Sequence, residues 1–166
     1  LEAATANALI HKKIGDALKK KDKLFNGGIS SEGAWIANIG NVDALEVISK
    51  ACEEVSNELD FECGFGVDAA ASSLWNEKEG KYVYENEGKK RDSAEQLEFI
   101  LDLIEKYHLV YVEDPFHEED FESFAELTKK VNDCLICGDD LFTTNSERLN
   151  RGIKINAANA IIIKVN

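Results

Sequence analysis

The chain has 166 residues, 44% of them hydrophobic, and its 32 acidic against 19 basic side chains leave a formal charge of -13. That apolar content supports a packed core and excludes intrinsic disorder. The acidic surplus, with no block of lysines and arginines, argues against nucleic acid and anionic membranes as partners. No run reaches the ~18 apolar residues of a membrane span, and the opening LEAATANALIHKK lacks the basic-then-apolar order of a secretion signal, so the chain reads as cytosolic. It begins at Leu1, contains no methionine and stops directly after the apolar run AIIIKVN, so it reads as a piece of something longer.

Residues 1–20 place Ala3, Ala6, Leu9, Ile10, Ile14 and Leu18 at helical spacing, and 42–58 repeat the pattern with Val42, Leu45, Val47, Ile48, Ala51 and Val55. A short β-rich run follows at 63–68. Residues 76–91, NEKEGKYVYENEGKKR, interrupt with charge and two glycines, and the alternating KYVYE predicts a small hairpin. Asp92-Ser93-Ala94-Glu95 then opens a helix over 93–107, with Asp92 or Ser93 as its N-cap. Strand-like runs at 109–113, 135–138 and 160–165 alternate with helical patterns at 120–131 and 146–152. Strands separated by helices of this length form right-handed βαβ units, so the fold class is α/β with a parallel sheet. Near-continuous apolar strands such as AIIIKV suit a sheet covered on both faces.

The strand-like runs deliver Asp68, Glu113, Asp139 and Lys164 at their C-terminal ends, 45, 26 and 25 residues apart. That is the spacing of successive βα units. Parallel neighbours bring the four side chains to one edge of the sheet, the edge where α/β barrels place their active sites. Counting back by twos, the face below the charges carries Gly64 and Gly66, Tyr111, Leu135 and Cys137, then Ala160 and Ile162, all uncharged. A charge at the end of such a face is costly unless paired. Three carboxylates and a lysine there are expected to compensate one another or to bind a cation, and the oxygen donors suit Mg2+.

Other features carry weaker signals. Glu32 stands alone in ISSEGAW, among Gly27, Gly28 and Gly33, as either a general acid or a solvated loop residue. His11, on the first helix, has no partner in sequence. Gly64-Phe65-Gly66-Val67-Asp68-Ala69 matches a dinucleotide-binding GxGxxA, yet Asp68 would set a negative charge where the pyrophosphate must lie. Cys134 and Cys137 form a lone CxxC inside a strand-like run, which points to buried free thiols rather than a metal or redox pair.

At these rim residues the sequence resembles the enolase family, through GVDAAASSLW around Asp68, VYVEDPFHEEDFESFAELT around Glu113, CGDDLFTTNSERL around Asp139 and AIIIKVN at Lys164; LIHKK and SEGAW match less closely. The resemblance implies that residues 1–166 are the central part of an enolase-type barrel domain, about four strands with their helices, without the N-terminal capping domain and the final barrel units. It further implies Mg2+-dependent dehydration of 2-phosphoglycerate to phosphoenolpyruvate, in the cytoplasm, by a homo-oligomeric parent. Asp68, Glu113 and Asp139 would then be Mg2+ ligands, and Lys164 the base at C2, with Glu113, Asp139 and Lys164 facing substrate. Glu32 would be the acid that helps the C3 hydroxyl leave. Where the family usually carries an aspartate before that acid, this chain carries Ser31. An inactive, partner-dependent enolase-derived piece is the alternative. A relative acting on another acid is a third reading, against which stand the matched strings, which are those of enolases proper.

Overall fold

A computed structural model describes residues 2–165; Leu1, expected at the start of the first helix, and Asn166 lie outside the described residues. The chain divides into two compact units, Leu1–Phe65 and Gly66–Asn166. In the first, helices α1 (Glu2–Lys21) and α2 (Asn41–Leu59) pack together and bury Ala6, Leu18, Leu45, Ala51 and Val55, the apolar stripes seen in the sequence. Lys13 reaches Glu54 and Glu58 at 3.1 and 2.7 Å, and Lys21 reaches Asp43 at 2.6 Å. Such pairs, open to solvent and screened by salt, add little to stability. Between the helices, buried Asp22 closes the loop by accepting the backbone N–H groups of Leu24 and Asn38, both at 2.8 Å.

The second unit begins with β1 (Gly66–Asp68) and the predicted hairpin excursion, β2 (Trp75–Asn76), β3 (Lys81–Tyr84) and β4 (Lys89–Arg91), which form their own antiparallel sheet. Helix α3 (Ser93–Tyr107) follows. Its N-cap is Asp92, whose carboxylate accepts from Glu95 N–H while the Glu95 side chain accepts from Asp92 N–H, a reciprocal capping box. Strand β5 (Tyr111–Glu113), helix α4 (Phe121–Lys130), strand β6 (Leu135–Gly138), helix α5 (Ser146–Ile155) and strand β7 (Ala160–Ile161) complete the alternation.

The main sheet is parallel throughout, in the order β1-β5-β6-β7, so the α/β expectation holds and the sheet stays open rather than closing into a ring. The register pairs Asp68 with Glu113 and Glu113 with Cys137. On one face Val112 and Ile136 are buried, and Phe116, Phe121, Phe124, Leu127 and Leu141 build the core of this unit. The other face carries Tyr111 and Leu135, and Leu135 remains 51% exposed. Two strands are shorter than the apolar runs predicted. Residues 63–65 make no ladder, and β7 ends at Ile161, beyond which Ile163 is 82% exposed. A strand that is apolar on both faces persists only where both are covered.

Gly66 shows why the GxG pair is not a nucleotide loop. A Cβ there would stand 2.6 Å from Tyr111 Cβ, so glycine lets β1 lie against β5, and Asp68 leads into a single 3₁₀ turn at Ala71–Leu74 rather than a helix. The cysteines are free; Cys134 and Cys137 are buried, and burial pushes the Cys134 thiol up to about 11.

The hairpin inserts Tyr82 and Tyr84 into the core. Burial pushes the Tyr82 phenol up to about 12 from an ordinary value of 10.0. A raised folded-state value means that the stabilisation is fully present below pH 10 and is lost as pH rises toward 12. Alkaline melting followed by circular dichroism should therefore show stability falling through that window, by up to about 2 to 3 kcal/mol. Tyr82→Phe should flatten the fall, and an equal fall in that variant would refute the assignment.

Candidate metal and catalytic site

Asp68 and Glu113 are the last residues of β1 and β5 and Asp139 follows β6 directly, but Lys164, expected at a strand end, lies three residues past Ile161 because the ladder of β7 stops there. Asp68 closes β1 and lies level with Glu113, which closes β5; one residue further, Asp114 turns inward. Carboxylate oxygens of Asp68, Glu113 and Asp114 all lie within 4.8 Å of one another, close enough for one cation to draw on more than one of them. Asp68 Oδ1 accepts the Ala70 N–H at 2.9 Å, and the Tyr111 hydroxyl donates to Glu113 Oε2. Burial, Cys137 and the Glu113 charge hold the Tyr111 phenol far above its usual range, so it remains a donor.

Asp139 lies just past β6 and is outside that group of three. Its Oδ2 sits 2.7 Å from Lys164 Nζ, so the expected compensation between carboxylate and lysine is present as an ion pair. The hydrogen bond to Asp139 is the main cause holding the Lys164 ammonium above its ordinary pKa, opposed by desolvation and aided by the charges of Asp140 and Glu113.

Glu32 belongs to the first unit and is exposed. Its turn is well fixed. Ser30 and Ala34 close it with a 2.8 Å backbone bond, Gly33 takes φ +82°, and Glu32 N–H donates to Ser30 Oγ at 3.3 Å. His11 is the turn's anchor: its ring stacks on Trp35 with centroids 4.6 Å apart and its Nε2 bonds to the Gly33 carbonyl at 2.9 Å, while Trp35 Nε1 donates to the His11 carbonyl. The histidine that had no partner in sequence is thus held within the first unit by its ring stack and its bond to Gly33.

Asp114 is the residue that sequence reasoning missed. It is 3% exposed, adopts φ +41°, and burial pushes its carboxyl up to about 6 against three backbone N–H donors that lower it. The available signal was two consecutive acids before a proline, because aspartate is among the few residues that tolerate the left-handed region.

The loop after Asp114 is also anchored from the hairpin side. Gln96, fully buried, accepts from the Tyr84 hydroxyl at 2.8 Å and donates to the Pro115 carbonyl at 3.0 Å; His117 N–H donates to Tyr82 Oη, and Glu118 N–H to Ser72 Oγ. The excursion at 76–91 thus supports the loop that follows the β5 carboxylates.

A parallel α/β sheet with acids and a lysine gathered at its C-terminal edge defines the class: an α/β-barrel-type protein with a candidate hard-cation site. The family model describing the enolase C-terminal TIM barrel domain matches residues 1–166, and the chain belongs to the enolase family. It is 52% identical to the enolase of Methanothermobacter thermautotrophicus over 166 residues, 99% of this chain and 40% of that protein. It is 56% identical to the enolase of Pyrobaculum aerophilum over 162 residues, 98% of this chain and 38% of that one. The chain therefore spans about two fifths of the length of the curated relatives it matches. Among the described residues, no helix is long and apolar enough to cross a membrane.

Proposed function

We propose that the chain is the metal- and base-bearing part of a phosphopyruvate hydratase, which interconverts 2-phosphoglycerate and phosphoenolpyruvate. The observation that carries this reading is the strand-end constellation, Asp68 level with Glu113 and Asp139 paired to Lys164, in a chain of this family. Asp68, Glu113 and Asp139 would hold Mg2+; the donor set fits, being hard carboxylate oxygen from three neighbouring strands. When bound, the ion supplies positive charge for the substrate carboxylate beside the reacting carbon.

The chain's own residues then have separable tasks. Lys164 takes the C2 proton on Nζ once its pair with Asp139 has opened and the amine is neutral. Removing that proton leaves negative charge next to a carboxylate, and the C3 hydroxyl departs with a proton supplied by Glu32. Glu113, Asp139 and Lys164 face the substrate. Tyr111, hydrogen-bonded to Glu113, fixes the rotamer of that ligand. A cytoplasmic, homo-oligomeric whole protein belongs to the same reading.

Dehydration of 2-phosphoglycerate, followed by absorbance of the enolpyruvate product, tests it in the complete protein. Turnover that chelation abolishes and Mg2+ restores is expected. Absence of turnover with Mg2+ present would sink the reading in favour of a non-catalytic or other-substrate relative. Running this chain beside the complete protein separates the family activity from that of the segment.

A further inference from the structure

Asp114 stands among the acids of the site, yet its oxygens are already engaged. Oδ1 accepts the Asp139 N–H at 3.1 Å and the Leu141 N–H at 3.5 Å, while Oδ2 accepts the Asp140 N–H at 2.9 Å. Its main chain is tied as well. Asp114 N–H donates to the Cys137 carbonyl at 3.0 Å, and its own carbonyl accepts from Ala71 N–H at 3.0 Å, so one residue joins the segments following β1, β5 and β6. A left-handed aspartate before proline costs on the order of 1 to 3 kcal/mol, and it persists only where its surroundings over-determine it. Here they do, because a buried carboxylate with three backbone donors has no comparable alternative.

We propose that Asp114 is a positioning residue rather than a metal ligand: it grips the backbone of residues 139–141 and thereby sets the Asp139 carboxylate, with its partner Lys164, against Glu113. This rests on the enolase reading of the rim. The geometry separates Asp114 from its neighbours. Asp68 is exposed and Glu113 half-exposed, both open to a ligand, whereas Asp114 is enclosed beneath the turn it holds. The turn is gripped from the opposite side too, since Arg148 Nε donates to the Leu141 carbonyl at 2.7 Å. Loss of Asp114 should therefore loosen the turn without unfolding the unit.

The test is Asp114→Asn in the complete protein. The amide keeps one acceptor and presents an N–H₂ where the Asp140 or Asp139 N–H now donates. Three readouts apply: amide hydrogen exchange of residues 139–141, calorimetric titration with Mg2+ alone, and steady-state turnover. Expected are at least tenfold faster exchange at those amides with α4 unchanged, and Mg2+ binding weakened about 10- to 100-fold at unchanged stoichiometry. In turnover, kcat should fall by a similar factor while KM for 2-phosphoglycerate shifts far less. Asp114→Glu, which keeps both acceptors but displaces them by a methylene, should fall between. Unchanged exchange at 139–141, or Mg2+ affinity within twofold of the unmodified protein, would overturn the proposal; loss of one bound Mg2+ would mark Asp114 as a ligand instead. If the asparagine variant does not fold, Asp114→Ser is read by the same criteria. If the unmodified protein shows no turnover, the functional reading fails, and the exchange and metal titrations still decide whether Asp114 positions Asp139.

Discussion

Replacing Lys164 by alanine should lower turnover of 2-phosphoglycerate about 10²- to 10⁴-fold, the range general-base catalysis supplies. Lys164 Nζ is the cationic group paired with Asp139, at 2.7 Å, and the strand that leads to it lies beside β6. Alanine removes the proposed proton acceptor while leaving Asp68, Glu113 and Asp139 in place. Mg2+ binding should therefore persist in a calorimetric titration while kcat collapses. Lys164→Arg should not rescue the activity, because a guanidinium stays protonated at any working pH and cannot accept the C2 proton. Exchange of the C2 proton into deuterated solvent isolates the step, and it should disappear in both variants. Turnover within tenfold of the unmodified protein in Lys164→Ala would remove this residue from the base role.

Phe124→Ala should destabilise the sheet-bearing unit by about 3 to 5 kcal/mol, the cost of a large cavity in a core that cannot fully collapse. Phe124 is fully buried on α4 and meets Phe116 edge-on, with ring centroids 5.5 Å apart. Phe116 follows Pro115 in the loop after Glu113 and Asp114, so the lost packing lies directly behind the site. Denaturant unfolding should show the midpoint dropping with the slope unchanged. Ile153→Ala on α5, at a side chain 64% exposed, should stay within about 0.5 kcal/mol and serves as the contrast. A Phe124→Ala midpoint no lower than that of the control would show that the core is not organised around these rings.

Much of this was legible because the governing interactions are local. Helical periodicity located α1 to α5, and Asp92 and Glu95 three residues apart marked the start of α3. The gathering of the charges at one sheet edge followed from where the strand-like runs end and from the βα spacing between them. Strand extent was not legible in the same way: 160–165 reads as one long apolar strand, but laddering needs a neighbour, and pairing here ends at Ile161. Nor was the pairing of Asp139 with Lys164, or the grouping of Asp114 with Asp68 and Glu113, fixed by spacing, since both depend on side-chain directions beyond the strand ends.

The amino-acid sequence by itself determined the α/β alternation, the order of the rim residues and, through VEDPF, GDDL and KVN, the enolase family, because each is written in residues close along the chain. Only the tertiary structure decided that Asp114, silent in the motif, carries the backbone of residues 139–141 on its carboxylate. Those partners lie 25 to 27 residues away, and no local pattern encodes which distant N–H groups a buried carboxylate will collect.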